Sequence, residues 1–221
     1  MNQLRLVIGP VALIALALLA LATIAGYVLV PAETLMPVHW GPSGEADAFW
    51  PRNSALLVPP VLVLLLGGLF VAILARGRGA DGARSGLRAA FAGIALLMAG
   101  IQASVVGIAL GYPIDMVRVI AFGLGVMFVF LGNILPKSQP NSYSGVRLRW
   151  TLSSQANWAA TNRFTGTLMM LAGVLLAVAS LFVAQPPVLL TITILVAIIP
   201  SLAGVIFSYR FARREDATRP L

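Results

Sequence analysis

The residues with chemical capability gather in two polar stretches. In the first, Pro31–Ala55, His39 is followed by Glu45 and Asp47, side chains able to hydrogen-bond, exchange protons or donate ligand atoms. His39 is the chain's only histidine and there is no cysteine. Thiolate nucleophiles and cysteine metal sites are therefore excluded. A transition-metal site would need more converging ligands than this stretch holds, and carboxylates alone favour weak Ca²⁺ or Mg²⁺ binding. A Ser–His–Asp arrangement would have to be drawn from Ser43, His39 and Asp47 on one short loop, with no scaffold to orient it. The sequence holds no H-E-x-x-H, G-x-S-x-G or Walker pattern. The expectation is a protein with no catalytic residues, no metal and no cofactor.

What the stretch does offer is a surface. Trp40, Phe49 and Trp50 are the residue types that settle at a membrane–water interface. Pro37, Pro42, Pro51, Gly41 and Gly44 impose turns and rule out a long helix. His39 is read first as a hydrogen-bonding residue in a compact aromatic cap. On the partner-contact reading, His39, Trp40, Glu45, Asp47 and Trp50 form the contact.

The second stretch, Pro136–Phe164, is the longer one. Pro136 should end the helix before it, with Asn133 bonding backbone groups freed near that end. Pro140-Asn141 and Ser144-Gly145 are turn signals, and Ser153 or Ser154 suits the N-cap of a helix through Trp158 that runs on into the next apolar segment. Arg147, Arg149 and Trp150 suit anionic headgroups, through guanidinium and indole together. Turn, cap and aromatic residues are denser here than anchoring alone requires, so the loop should be folded.

These stretches must be positioned by apolar elements. The chain has 221 residues, 59% hydrophobic and only 10% charged, with a mean hydropathy of +0.94. Soluble domains carry roughly 25% charge; this one belongs in a bilayer. Six apolar segments stand out at 6–30, 56–75, 89–110, 119–135, 165–184 and 188–209, none containing Asp, Glu, Lys, Arg or His. Each is long enough to cross a core of about 30 Å as a helix, the only open form whose backbone is satisfied in lipid. Arg5 and the run to Val30 resemble a signal peptide with Ala20-Leu21-Ala22 at its end, but the run exceeds a signal core of about 7–15 residues and reads as an uncleaved span.

Thirteen of the fifteen basic residues fall on one side of this arrangement; only Arg52 and Arg118 fall on the other. By the positive-inside rule both termini are cytoplasmic, and the net charge of +8 needs no direct nucleic-acid partner. The fold class is thus an all-α integral membrane protein, a six-transmembrane-helix bundle with both termini inside. The expected division is a two-helix N-terminal part (1–75), a part with a basic glycine-rich linker and the third helix (76–118), a three-helix part around the second stretch (119–209), and a tail (210–221). Ala95, Ala99, Ala103, Gly107 and Gly111 line one face of the third segment as a packing seam. Pro59-Pro60 and Pro200 should loosen their helices. With no ionisable residue in any span, proton-coupled pumping is disfavoured.

The string L-G-N-I-L-P-K-S-Q-P-N-S-Y-S-G-V-R-L-R-W-T-L-S-S-Q-A-N-W-A-A-T-N-R resembles the signature of the SdpI family of bacterial integral membrane proteins, named for immunity to a secreted sporulation-delaying peptide toxin. The fit includes Asn133, Pro136, Lys137, Pro140, Asn141, Gly145, Arg147, Trp150, Thr151, Leu152, Ser153, Trp158, Thr161 and Arg163, with Arg149 inside the motif. L-M-P-V-H-W-G-P-S-G-E-A-D-A-F-W is similar, at Pro37, His39, Gly44 and Asp47, to a membrane domain of unknown function that often precedes that signature. Two departures stand out. The family usually has T-P before the tryptophan where this chain has Leu148-Arg149, and histidine before the final arginine where it has Asn162. Any proton or ligand chemistry of that histidine would be lost.

The resemblance implies a bacterial cytoplasmic-membrane immunity protein that meets a secreted peptide toxin by binding. It also implies, in parts of the family, a small winged-helix repressor held at the membrane. Membrane lipids are the remaining partners. The alternatives are a lipid- or small-molecule-handling membrane protein and a signalling protein without toxin immunity; toxin identity and oligomeric state are not legible.

Overall fold

The computed structural model describes residues 8–75 and 83–217. Of the basic linker expected at 76–88, residues 76–82 lie, with Arg5 and Arg219, outside the described residues, whereas Arg84, Gly86 and Arg88 are not linker but the first turns of the third long helix. The elements in order are α1 (Pro10–Leu29), β1 (Leu35–Trp40), β2 (Ala46–Pro51), α2 (Arg52–Ala75), α3 (Arg84–Ala109) and α4 (Met116–Ile134). A 3₁₀ turn (Leu135–Lys137), a short α5 (Arg149–Ser153), α6 (Gln155–Phe182) and α7 (Pro186–Ala217) follow.

The six long helices are long and apolar enough to cross a membrane, as the apolar segments require. Their outer faces stay apolar: Ile14, Leu64 and Phe182 are 60%, 71% and 79% exposed, where water would exact a penalty and lipid does not. Start signals are local. Pro10 fills the first position of α1, Asp115 accepts the Arg118 amide at the start of α4, and Ser154 Oγ accepts the Asn157 amide at the start of α6, the capping role expected of it.

Two groups of helices share the core. Ala12, Ala15 and Leu19 of α1 pack with Val63 of α2 and with Phe91, Ala95 and Ala99 of α3. Ala121 of α4, Leu176 of α6 and Leu189 and Val196 of α7 form a second cluster, and α3 lies against α4 to join the groups. The expected small-residue seam on α3 is half realised: Ala95 and Ala99 are buried, whereas Ala103 is exposed and Gly111 lies beyond the helix.

The tightest seam lies elsewhere, between α4 and α6. A Cβ on Gly132 would sit 2.5 Å from the Gly166 carbonyl oxygen, and one on Gly166 2.5 Å from that of Gly132. Gly125 and Gly173 meet in the same way, at 2.7 and 2.6 Å from the opposing carbonyl oxygens. Glycines two helical turns apart on each partner let the backbones touch.

Helix α2 continues through Pro59 and Pro60 and α7 through Pro200. Proline has no N–H to give residue i−4, so Pro60 leaves the Leu56 carbonyl without its helical partner. The buried Gln102 of α3 fills that place: its Nε2 donates to the Leu56 oxygen at 3.0 Å and to Thr23 Oγ1 of α1 at 3.0 Å. One amide thereby ties three helices together.

Candidate functional site

The first polar stretch folds as a β-hairpin, an element the sequence reading did not anticipate. β1 and β2 pair antiparallel with Leu35 opposite Pro51, Met36 opposite Trp50 and Pro37 opposite Phe49, then shift register on either side of His39. Met36 and Pro37 are buried against the helices, with Met36 packed among Val30, Leu56 and Val106. The turn reaches back over the bundle, where Gly44, at φ +86°, lies against Pro186 at the start of α7. A side chain there would be strained by the positive φ and would collide with that ring.

The hairpin brings together the residues singled out in it. His39 Nδ1 and Asp47 Oδ1 are 2.5 Å apart across the strands, with both side chains more than half exposed. Phe49 and Trp50 are exposed on the same hairpin, and Trp40 is half-buried against the helix cluster. Glu45 is exposed in the turn, its backbone oxygen accepting the Gly41 amide. No three His, Cys, Asp or Glu side chains converge among the described residues. The surface can accept and donate hydrogen bonds beside aromatic rings.

Both basic residues on this side have structural tasks. Arg52 donates to the Tyr27 and Val30 carbonyls at the end of α1 and lies over the Tyr27 ring. Arg118 pairs with Asp115 at the start of α4.

The second stretch, at the opposite end, is folded as expected. Its centre is Trp158, fully buried, whose Nε1 donates to the Ser138 carbonyl at 2.9 Å. Gly145, at φ +100°, lies flat on the Trp158 ring, where a Cβ would come within 2.9 Å. Asn141 Oδ1 accepts the amides of Tyr143 and Ser144, an Asx turn. Asn162 Oδ1 accepts the Val146 amide at 2.9 Å while its Nδ2 donates to the Trp158 carbonyl. Thr151 Oγ1 accepts the Leu148 amide at 2.8 Å and donates to the Val146 carbonyl.

Helix α7 forms the far wall. Trp150 Nε1 donates to Ser208 Oγ, Asn157 Nδ2 donates to the Ser208 carbonyl, and Ser154 Oγ donates to Glu215. Asn157, Thr161 and Asn162 are all buried. Of these, Asn157 and Asn162 were missed as site residues, and no local spacing in the sequence marked them.

The named residues of this stretch thus divide. Asn141, Gly145, Trp150, Thr151 and Trp158 build the loop, with Pro136 and Pro140 half-buried in its frame. Lys137, Arg147, Arg149, Ser153 and Arg163 are exposed; the Arg147 guanidinium donates to the Ser142 carbonyl. Asn133 does not do what was expected. It is exposed and makes no side-chain hydrogen bond to a described residue, because Ser138 closes the helix end by sending both its amide and its hydroxyl to the Leu135 carbonyl.

Residues 137–208 match the model of the SdpI/YfhL protein family, and residues 13–64 match that of a domain of unknown function, DUF1648. About a third of the chain, its second polar stretch and last two spans, is thus similar to the SdpI/YfhL family. The chain is 26% identical to "Immunity protein SdpI" of Bacillus subtilis (strain 168) over 211 residues, which is 95% of this chain and 98% of that protein. No solved structure matches the chain. The family match begins at the 3₁₀ turn and closes at Ser208, so it contains the whole folded loop and the α7 residue that two of its side chains hold. The hairpin lies inside the DUF1648 match. With six long apolar helices among its described residues, the chain is a multi-pass membrane protein.

Proposed function

We propose that this chain is an immunity protein of the bacterial cytoplasmic membrane that protects its host from a secreted membrane-active peptide toxin by binding it, without catalysis. The similarity to an immunity protein along 95% of the chain is the observation that carries this reading. The hairpin supports it: His39, Trp40, Glu45, Asp47 and Trp50 occupy the side with few basic residues, which is the extracytoplasmic side if both termini are cytoplasmic. A peptide arriving from outside meets exposed aromatic rings next to a polar pair, the composition of binding hot spots. At the other end, Lys137, Arg147, Arg149 and Arg163 present positive charge on a rigid loop, a surface suited to an acidic cytoplasmic partner such as a repressor.

The test is survival. A toxin-sensitive strain expressing the chain is challenged with a sporulation-delaying-type peptide, alongside strains carrying Trp50→Ala, His39→Ala or Arg147→Ala at matched membrane levels. Protection by the wild type that is lost with Trp50→Ala or His39→Ala, and kept with Arg147→Ala, supports binding at the hairpin. A well-inserted wild type that gives no protection overturns this toxin class as the target.

A further inference from the structure

An apolar groove of about 420 Å³ runs along the outside of the bundle between α1 and α4, over α3. Its walls are Val11 and Leu18 of α1 and Phe122 and Phe130 of α4; its floor is the small-residue face of α3 around Gly93 and Gly100. It follows α3 from Ala92 to Ala103, about 16 Å at 1.5 Å per residue, close to the depth of one leaflet of a hydrocarbon core about 30 Å thick. At the end nearer the folded loop it opens into a second depression of about 530 Å³, which shares Val11, Ala92 and Phe130 with it. That depression is lined by Arg84, Ser85 and Arg88, and both arginines are exposed. The Arg88 guanidinium lies over Gly9 and donates to the Ile8 carbonyl, which holds it at the mouth.

A leaflet-deep apolar channel ending at two guanidinium groups is complementary to a molecule with an acyl chain and an anionic head. We propose that this groove is a site for one acidic phospholipid of the leaflet on the folded-loop side, its phosphate at Arg84 and Arg88 and an acyl chain along α3. Guanidinium groups bind phosphate through paired, charge-assisted hydrogen bonds. Basic residues near an anionic membrane surface are each worth about fivefold in binding, so two give a preference of about thirtyfold over a zwitterionic lipid. The chain contact supplies affinity for either lipid, and the arginines supply the choice between them. The site is separate from the hairpin and does not depend on the immunity reading.

The experiment is native mass spectrometry of the purified full chain in detergent, titrated with dioleoyl phosphatidylglycerol, dioleoyl phosphatidylcholine or glycerol 3-phosphate. The expected result is one phosphatidylglycerol per chain, held about thirtyfold more tightly than phosphatidylcholine, and no retained glycerol 3-phosphate. A Cβ on Gly100 has nothing within 4 Å, so Gly100→Leu fills the groove without disturbing the core and should weaken both lipids by tenfold or more. Arg84→Gln with Arg88→Gln should weaken phosphatidylglycerol much more than phosphatidylcholine, which shares the phosphate but has no net charge, and abolish the preference. If loss of the Arg88 bond to Ile8 impairs folding, Arg84→Gln alone should reduce the preference about fivefold. Equal binding of the two lipids by the wild type, unchanged binding by Gly100→Leu, or retention of glycerol 3-phosphate would each overturn the proposal. So would a second copy of the chain displacing lipid from the groove, seen as a dimer that Gly100→Leu abolishes.

Discussion

Replacing Gln102 with leucine tests whether a proline-made defect is repaired by a neighbouring helix. Gln102 Nε2 donates to the Leu56 carbonyl at 3.0 Å, the group that Pro60 leaves unpaired. Gln102→Leu keeps the volume and removes the donor. An orphaned buried carbonyl costs about 1–3 kcal/mol, whereas hydrogen bonds between membrane helices average about 0.6 and reach about 1.7 kcal/mol. Thr23 Oγ1 keeps its own bond to the Leu19 carbonyl, so nearly all the loss falls on Leu56. The expected cost is about 1–2 kcal/mol. Pro60→Ala restores an N–H four residues on from Leu56, and in that background Gln102→Leu should cost about 0.5 kcal/mol or less. The coupling energy of the pair is then about 1 kcal/mol, readable as a double-mutant cycle from unfolding in mixed detergent–dodecyl sulfate micelles followed by circular dichroism. Equal cost of Gln102→Leu in both backgrounds would refute the reasoning, since the carbonyl would then not be what the amide serves.

Asn162→Leu should leave the Val146 amide without an acceptor, raising its hydrogen exchange by about 5- to 150-fold for about 1–3 kcal/mol; Asn162→His, at a pH where imidazole is neutral, should restore most of the protection through a ring nitrogen. Gly166→Leu should lower stability in detergent by about 1–3 kcal/mol or more, because any Cβ there meets the Gly132 carbonyl oxygen at 2.5 Å, while Gly68→Ala, with nothing within 4 Å, should be neutral or gain up to about 1 kcal/mol from helix propensity. Asp47→Ala should change thermal unfolding by about 0.5 kcal/mol or less, since the His39–Asp47 pair is largely exposed, so any loss of protection by this variant reports a lost contact.

The spans were legible because hydropathy is a sum over about twenty residues and survives local exceptions. Ser154 and Gly145 were legible because capping and positive φ are single-residue requirements. The hairpin was not: β1 contains Pro37, β2 ends in Pro51, and the register shifts beside His39, so no clean period of two exists in a stretch rich in turn residues. Its strands are fixed instead by burial of Met36 beneath them, a tertiary effect. The seam was misplaced for a related reason. Small residues at four-residue spacing on α3 looked continuous, yet the glycines that bring backbones together on α4 and α6 recur at seven. Which stripe is used depends on the partner's matching stripe, and that is a property of two segments. Asn157 and Asn162 were passed over because amides in a helix carry no signal until Ser208 and Val146 are brought to them.

The length of α7 explains why the loop at one end can be so well ordered. Its 32 residues span about 48 Å, against a hydrocarbon core of about 30 Å, so roughly a third of the helix lies beyond the apolar layer. The excess is at the loop end: Pro186 already meets the turn of the hairpin at one mouth, while Ser208, Tyr209 and Glu215 stand beside Trp150, Asn157 and Ser154 at the other. Phe207 stacks on Phe164 at 4.6 Å just beneath them. A loop outside the membrane must find partners for its backbone and polar side chains, and water would satisfy them without imposing one conformation. The emergent turns of α7 supply fixed donors, acceptors and rings instead. The exposed Arg147 and Arg149 therefore project from a braced platform, and the ordering cost of that platform is met by folding before any partner arrives. One helix touches both polar ends of the molecule, so a displacement of α7 that opened the hairpin turn would have to break the Ser208 and Glu215 bonds or bend the helix between them, and Pro200 is the one position there where the backbone ladder is already interrupted.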